Sequence, residues 1–492
     1  MASTESAVSK WRCHAMPLRH ARVWLMIGSA NSISLTNLPA ELLYKIFEHL
    51  GHRDLLSLAK LCQRLNAVGL RQSYKLVDLN VDEGLLYLGS SALDTLNALL
   101  LDVSCPRFTY ITTCFDTPDG PIVARLRAYL RMLPSGSVQT FEIRFPENTS
   151  HAAPKAFSGA LSHLLGSACL QNCKTLEFSY LDKIRCRRAN TVHISSPPLR
   201  SITHMSLYHS VGHIHSRFHD WLIQSANSSR LTDLFLDGTD LNIMLQQLRL
   251  PYLKTLFLSS PNLSARAVSS FITKHPFITH LHFYRCHWSN TAVVAPDTLP
   301  YLESLSASPS VVLPLLSQCR RPRLMTISIE FDRPMKMAAK IIKLLHLISD
   351  HPALSRLTFK FTDCAVPNLW AQPWWWLQDG LRFPKISQID IIFWFTSEQP
   401  DFSLLARWVG LFPDLNRLKI ESTKLTVSDG FAFVKSFEEN RLGFLCYRLT
   451  CAAAIINRWG ENQVVLADEL EHFVAQKDVD CYGNVKVVIS SL

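Results

Sequence analysis

Glycine is scarce in this chain, 17 of 492 residues, and no P-loop, GxGxxG or GxSxG motif occurs. Phosphate-cradling loops and nucleophile elbows need glycine at fixed positions. The sequence therefore offers no catalytic arrangement, and neither a catalytic residue nor a cofactor is expected. CxxC pairs are absent as well; among 13 cysteines the nearest two, Cys169 and Cys173, stand four apart. An odd set of scattered thiols fits reduced cysteines of the cytoplasm or nucleus better than a disulfide framework. No apolar run approaches the ~20 residues of a membrane-crossing helix, so no membrane partner is expected. The formal charge of +10 is spread along the chain without a dense basic block; Arg185, Arg187 and Arg188, then Arg320, Arg321 and Arg323, come nearest. Solvated turns account for both groups, and nucleic acid is not an expected partner. Five histidines lie between His204 and His219, but no cysteine is nearby and no ligand spacing is recognisable, so no metal site is expected.

Apolar residues are plentiful, 48% of the chain, and they recur. The pattern is apolar, two residues, apolar, one residue, apolar. It appears as Cys173, Leu176, Phe178; Ile202, Met205, Leu207; Leu231, Leu234, Leu236; Leu253, Leu256, Leu258; and Ile278, Leu281, Phe283. It continues as Leu302, Leu305, Ala307; Leu324, Ile327, Ile329; Leu354, Leu357, Phe359; Ile386, Ile389, Ile391; and Leu415, Leu418, Ile420. The last two positions of each copy alternate as in a strand. Segments between copies, such as Val268, Phe271, Ile272, carry helical spacing. One strand with one helix cannot bury its own apolar face, whereas stacked copies share a continuous core. The pattern resembles a leucine-rich repeat, with Cys286 standing where that family places Asn or Cys.

The expected fold class is α/β: a short all-helical module followed by a curved leucine-rich-repeat-like solenoid, strands on the concave face and helices on the convex face. The expected divisions are an N-terminal extension at 1–33, the helical module at 34–80, a linker with first irregular repeats at 81–170, the solenoid at 171–424 and a C-terminal cap at 425–492. Within the cap, helices are expected at Val427–Glu439 and Ala467–Gln476 and a closing strand at Val485–Ser490. The basic composition of 1–33 is that of an organelle-targeting leader or of an untidy extension, and the second reading is preferred. The run Trp370, Trp374, Trp375, Trp376 reads as a segment buried against the solenoid or as a partner-binding loop.

Residues 35–68 read LTNLPAELLYKIFEHLGHRDLLSLAKLCQRLNAV. Pro39 suits a first helical turn, Gly51 ends the helix, and Asp54 suits the cap of the next. The apolar residues cover two sides: Leu38, Leu42, Ile46 and Leu50 form one line, while Leu43, Phe47 and Leu50 lean to another. A helix apolar on two sides needs a partner on each. In Leu38-Pro39, Glu41-Leu42-Leu43, Ile46-Phe47, Leu50, Asp54-Leu55-Leu56 and Cys62-x-Arg64 the segment resembles an F-box, departing at Leu65, where many members have Trp. The resemblance implies docking to a Skp-type adaptor, and through it to a cullin, by Leu38, Pro39, Leu42, Ile46, Leu50, Leu55 and Leu58. It implies a non-catalytic substrate receptor of an SKP-cullin-F-box ubiquitin ligase, cytoplasmic or nuclear, that captures a protein substrate.

Between the apolar anchors, strand residues face the other side of the sheet. Four successive copies place Tyr208, Phe235, Phe257, then His282 and Tyr284 there, and aromatic anchors are typical of interfaces. This stripe is the expected substrate-binding surface, unless a loop or the cap covers it. The alternative reading of the whole chain is a leucine-rich-repeat scaffold acting outside ubiquitylation.

Overall fold

The computed structural model describes residues 35–89, 92–114, 120–144, 161–179, 196–208, 216–238, 241–286, 288, 298–318, 321–331, 338–362, 381–394, 411–415, 417–422 and 485–490. The 1–33 extension, the histidines His209, His213 and His215, the tryptophan run and the two cap helices lie outside them. The chain divides into two units, Met1–Leu79 with Asn97–Ser104 and Asn80–Leu96 with Cys105–Leu492.

In the first unit a 3-10 turn at Leu35–Asn37 leads into three helices, α1 Ala40–Phe47, α2 His52–Ala59 and α3 Gln63–Leu76. Pro39 stands immediately before α1, where its missing N–H costs nothing. Gly51, rather than Asp54, occupies the cap of α2. Asp54 falls in the first turn instead, where a carboxylate still favours the positive end of the helix dipole.

The second unit is built on one fourteen-stranded sheet whose strands lie in chain order. The strands are β1 Leu85–Leu88, β2 Tyr110–Cys114, β3 Thr140–Arg144, β4 Thr175–Ser179, β5 His204–Tyr208, β6 Asp233–Asp237 and β7 Thr255–Ser259. They continue as β8 His280–Tyr284, β9 Ser304–Ala307, β10 Thr326–Phe331, β11 Arg356–Thr362, β12 Gln388–Trp394, β13 Arg417–Ser422 and β14 Val485–Ser490. Each strand from β1 to β13 pairs in parallel with its sequence neighbour, and β14 closes the sheet antiparallel to β13. Helices α4 Ala92–Leu101, α5 Gly120–Met132, α6 Ser216–Ser228, α7 Leu241–Gln247, α8 Ala265–Lys274, α9 Pro309–Gln318 and α10 Ala338–Ser349 lie in the connections.

All ten repeat copies fall on β4 to β13 in one phase, and the closing strand runs over the expected residues. The sheet also begins earlier than the ten copies. Val138, Phe141 and Ile143 repeat the same spacing on β3, and Phe108, Ile111 and Thr113 do so on β2; all are buried. A threonine in the third position hides the β2 copy from an apolar count.

A backbone device holds the phase. At the start of each strand from β1 to β11 one carbonyl accepts two N–H groups from the next repeat. Thr203 O receives Thr232 N at 2.8 Å and Asp233 N at 3.0 Å; Thr232 O receives Lys254 N and Thr255 N; Lys254 O receives Thr279 N and His280 N. The same doubling runs from Gly84 O, which receives Thr109 N and Tyr110 N, to Ser355 O, which receives Ser387 N and Gln388 N. Parallel strands slip easily where neither face is distinctive. Here a slip would break two bonds per repeat and expose a buried leucine row.

That row is the core: Leu176, Met205, Leu234, Leu256, Leu281, Leu305, Ile327, Leu357 and Ile389 are all at most 2% exposed. Leu256→Ala removes a fully enclosed side chain and is expected to lower unfolding free energy by about 2–5 kcal/mol in urea titrations. Phe235→Ala, on the half-buried face of the same sheet, should cost clearly less.

Candidate functional site

In the helical unit, Leu43, Phe47, Leu55, Leu65 and Val68 make a small closed core, with Leu35, Leu38, Tyr44, Leu50, Leu58 and Cys62 at its margin. Arg64 fastens the segment before α1 to α3: its guanidinium donates to Thr36 O at 2.6 Å and to Leu38 O at 2.5 Å. Asn66 donates from α3 to Ala59 O at 3.1 Å and to Leu101 O at 2.9 Å. Gly69 lets α3 approach α2 closely, since a Cβ there would meet Leu55 O at 3.1 Å and the Phe47 ring at 3.7 Å. Neither Asn66 nor Gly69 stands out in sequence, because their roles depend on what crosses them.

With Leu43 and Phe47 turned inward, α1 has a second side that this unit leaves open. Leu42 is 47% exposed and Ile46 40% exposed, one helical turn apart, and Pro39 is exposed beside them. Leu38, Leu50 and Leu58 are half-buried at the core margin. Leu55, counted with them from sequence, is 0% exposed and belongs to the core. A surface of Pro39, Leu42 and Ile46, bordered by Leu38 and Leu50, is apolar and able to bury side chains against another protein.

On the sheet of the second unit, Ser206, Phe235, Phe257 and His282 occupy successive positions of one cross-strand row. The rings of Phe235, Phe257 and His282, joined by that of Tyr208 beside the row, form a stack. The Tyr208 and Phe235 centroids lie 4.3 Å apart, those of Phe235 and Phe257 4.0 Å apart with their planes nearly parallel, and those of Phe257 and His282 6.2 Å apart. Tyr284 stands two residues beyond His282 on the same strand, with the Arg285 guanidinium 5.0 Å from its ring centre. All five residues expected in the stripe are half-buried, and four of them share one stack.

Charges extend the row on the β1 side. Glu142 accepts from Tyr110 Oη at 2.8 Å and Thr112 Oγ1 at 3.0 Å and pairs with Arg144. Burial opposes its ionisation, but these donors outweigh burial and hold its carboxyl below the usual range. Glu177, next in the row, is raised by burial and then by the Glu142 charge. Burial, then Glu177, raises the Tyr208 hydroxyl. His282 is pushed down to about 4 by burial, with Lys360 and His280 adding to the effect. His204 pairs with Asp233 at 2.9 Å. Among the described residues no group of three metal-binding side chains converges, and no helix is long and apolar enough to cross a membrane.

Two measurements check this geometry. Gly69→Val forces a branched side chain against the Leu55 carbonyl and should destabilise the helical unit by about 1–3 kcal/mol, read as a lowered Tm. Between pH 6.5 and about 4 the unfolded chain takes up a proton that folded His282 refuses, so stability falls as pH drops through that window. His282→Phe should lose that part of the fall, visible when urea unfolding of both proteins is compared at pH 7 and pH 5.

No curated protein matches the chain. The family described as F-box-like matches residues 35–74, which span the 3-10 turn, α1, α2 and most of α3. The helical unit therefore contains an F-box-like domain, and this points to a role as an F-box adaptor in ubiquitin ligase complexes.

Proposed function

We propose that the chain is the substrate-recognition subunit of an SKP-cullin-F-box ubiquitin ligase. The observation that carries the reading is the open side of α1, where Pro39, Leu42 and Ile46 stay exposed although the unit has a closed core. This is the side that would meet a Skp-type adaptor, with Leu38, Leu50 and Leu58 at its border and the adaptor leading to a cullin. Leu55 acts behind that surface, as part of the core that holds α1 in place.

The parallel sheet plays the capturing part, as a curved leucine-rich-repeat-like solenoid covering 171–424 with irregular first repeats before it and a cap after it. Its strand phase, ten sequence copies on ten consecutive strands, supports this reading. The stack of Tyr208, Phe235, Phe257 and His282, with Tyr284, is the proposed contact surface for a protein substrate. The chain supplies no reacting group; holding the substrate beside a charged conjugating enzyme raises its effective concentration.

Full Leu and Ile burial contributes roughly 1.5–3 kcal/mol per side chain. Leu42→Ala with Ile46→Asp should therefore weaken binding of purified Skp-type adaptor at least about tenfold in calorimetry, while the helical circular dichroism is kept. Wild-type protein that binds no adaptor would favour the scaffold reading, in which the sheet assembles partners without ubiquitylation.

A further inference from the structure

The turns that precede the strands carry a second row of side chains, separate from the stack on the sheet. Three residues before β6, β7, β8, β9 and β10 stand Arg230, Tyr252, Phe277, Tyr301 and Arg323, one at the same position of five consecutive repeats. All five are exposed, Tyr252 by 52%, Phe277 by 55% and Tyr301 by 37%. They touch one another rather than solvent alone. The Arg230 guanidinium lies 5.9 Å from the Tyr252 ring centre, the Phe277 and Tyr301 rings stack at 5.7 Å, and the Arg323 guanidinium lies 4.9 Å from the Tyr301 centre.

The backbone fixes this row. Two residues after each of its members comes the residue whose carbonyl accepts the doubled N–H pair from the next repeat: Thr232, Lys254, Thr279 and Glu303 for the first four. Arginine and tyrosine dominate binding hot spots, and rings already stacked lose little freedom on docking. A guanidinium lying on a ring keeps its in-plane N–H groups available for a carboxylate. No carboxylate pairs with Arg230 or Arg323 among the described residues. Arg249 and Lys254, both exposed, add positive charge along these turns, where Glu303 is the one acidic residue.

We propose that this rim docks an acidic segment of a partner protein, with one carboxylate on Arg230, another on Arg323, and apolar or aromatic side chains against Tyr252, Phe277 and Tyr301. Charge complementarity selects the occupant: cations at both ends of an apolar row call for anions at both ends of an apolar peptide. Four strand spacings of ~4.8 Å separate β6 from β10, roughly 19 Å. An extended peptide covers that in about six residues at ~3.3 Å each. The proposal stands apart from the ligase reading, because it involves neither the helical unit nor the ring stack on the sheet.

The test is selection from a random twelve-residue phage-displayed peptide library on the full-length chain. Supporting sequences would carry two Asp or Glu flanking apolar residues at about that spacing. The selected peptide, labelled for fluorescence anisotropy, should bind Arg230→Glu/Arg323→Glu at least tenfold more weakly and Tyr252→Ala/Tyr301→Ala clearly more weakly, with Phe235→Ala unchanged. All five side chains are exposed, so circular dichroism should be the same for every variant. Enrichment without acidic residues, equal binding to the charge-reversed variant, or no enrichment at all would overturn the proposal. So would tight binding of a twenty-residue oligothymidylate abolished by the same charge reversal, which would make the rim a stacking platform for single-stranded nucleic acid.

Discussion

One carbonyl per repeat, shared by two N–H donors of the next, sets the phase of the parallel sheet. From Gly84 to Ser355 this shared acceptor recurs at the start of each strand. It forces equivalent residues into line, so any residue type that recurs at one repeat position becomes a row in space. The buried leucine row, the ring stack of Tyr208, Phe235, Phe257 and His282, and the rim from Arg230 to Arg323 are three results of that constraint. Side chains reinforce it in places. Cys286 Sγ lies 3.5 Å from Leu258 O, and Ser308 Oγ donates to Cys286 O at 2.8 Å, which links three repeats through the turn after the strand.

The same alignment makes electrostatics cumulative. Glu142 and Glu177 are neighbours because their strands are neighbours, and the second, already harder to ionise because it is buried, is made harder still by the charge of the first. Farther along, Arg356 and Asp390 pair across adjacent strands, with Asp390 3% exposed. A buried carboxylate needs such a partner. The sheet face is thus acidic on one side of the aromatic stack and carries compensated charge on the other.

The helical unit works by the opposite principle, with few contacts placed unequally. Its core draws on one side of α1, and a contact at Gly69 together with the Arg64 clasp holds the helices in place. The other side of α1 stays apolar and open. Lone small helical units rarely keep such residues exposed without a partner, and the F-box-like match over 35–74 agrees with that asymmetry.

Much of this was legible in the residues. Periodicity placed ten strands in phase and a closing strand at Val485–Ser490, because buried alternation leaves a direct trace in composition. The two-sided apolar pattern of Leu42, Leu43, Ile46 and Phe47 announced a helix with something to spare. Other features had no trace. Leu55 and Leu58 look alike in sequence, yet only Leu55 is sealed, since burial depends on which helix lies across it. The strand on Phe108, Ile111 and Thr113 was hidden because a buried threonine breaks an apolar count. The rim from Arg230 to Arg323 scatters over 94 residue positions and becomes a row only when repeats of unequal length are stacked in register. Local periodicity, then, was determined by the sequence alone, whereas adjacency across repeats was decided by tertiary structure, because it depends on hydrogen bonds between segments that the order of residues does not align.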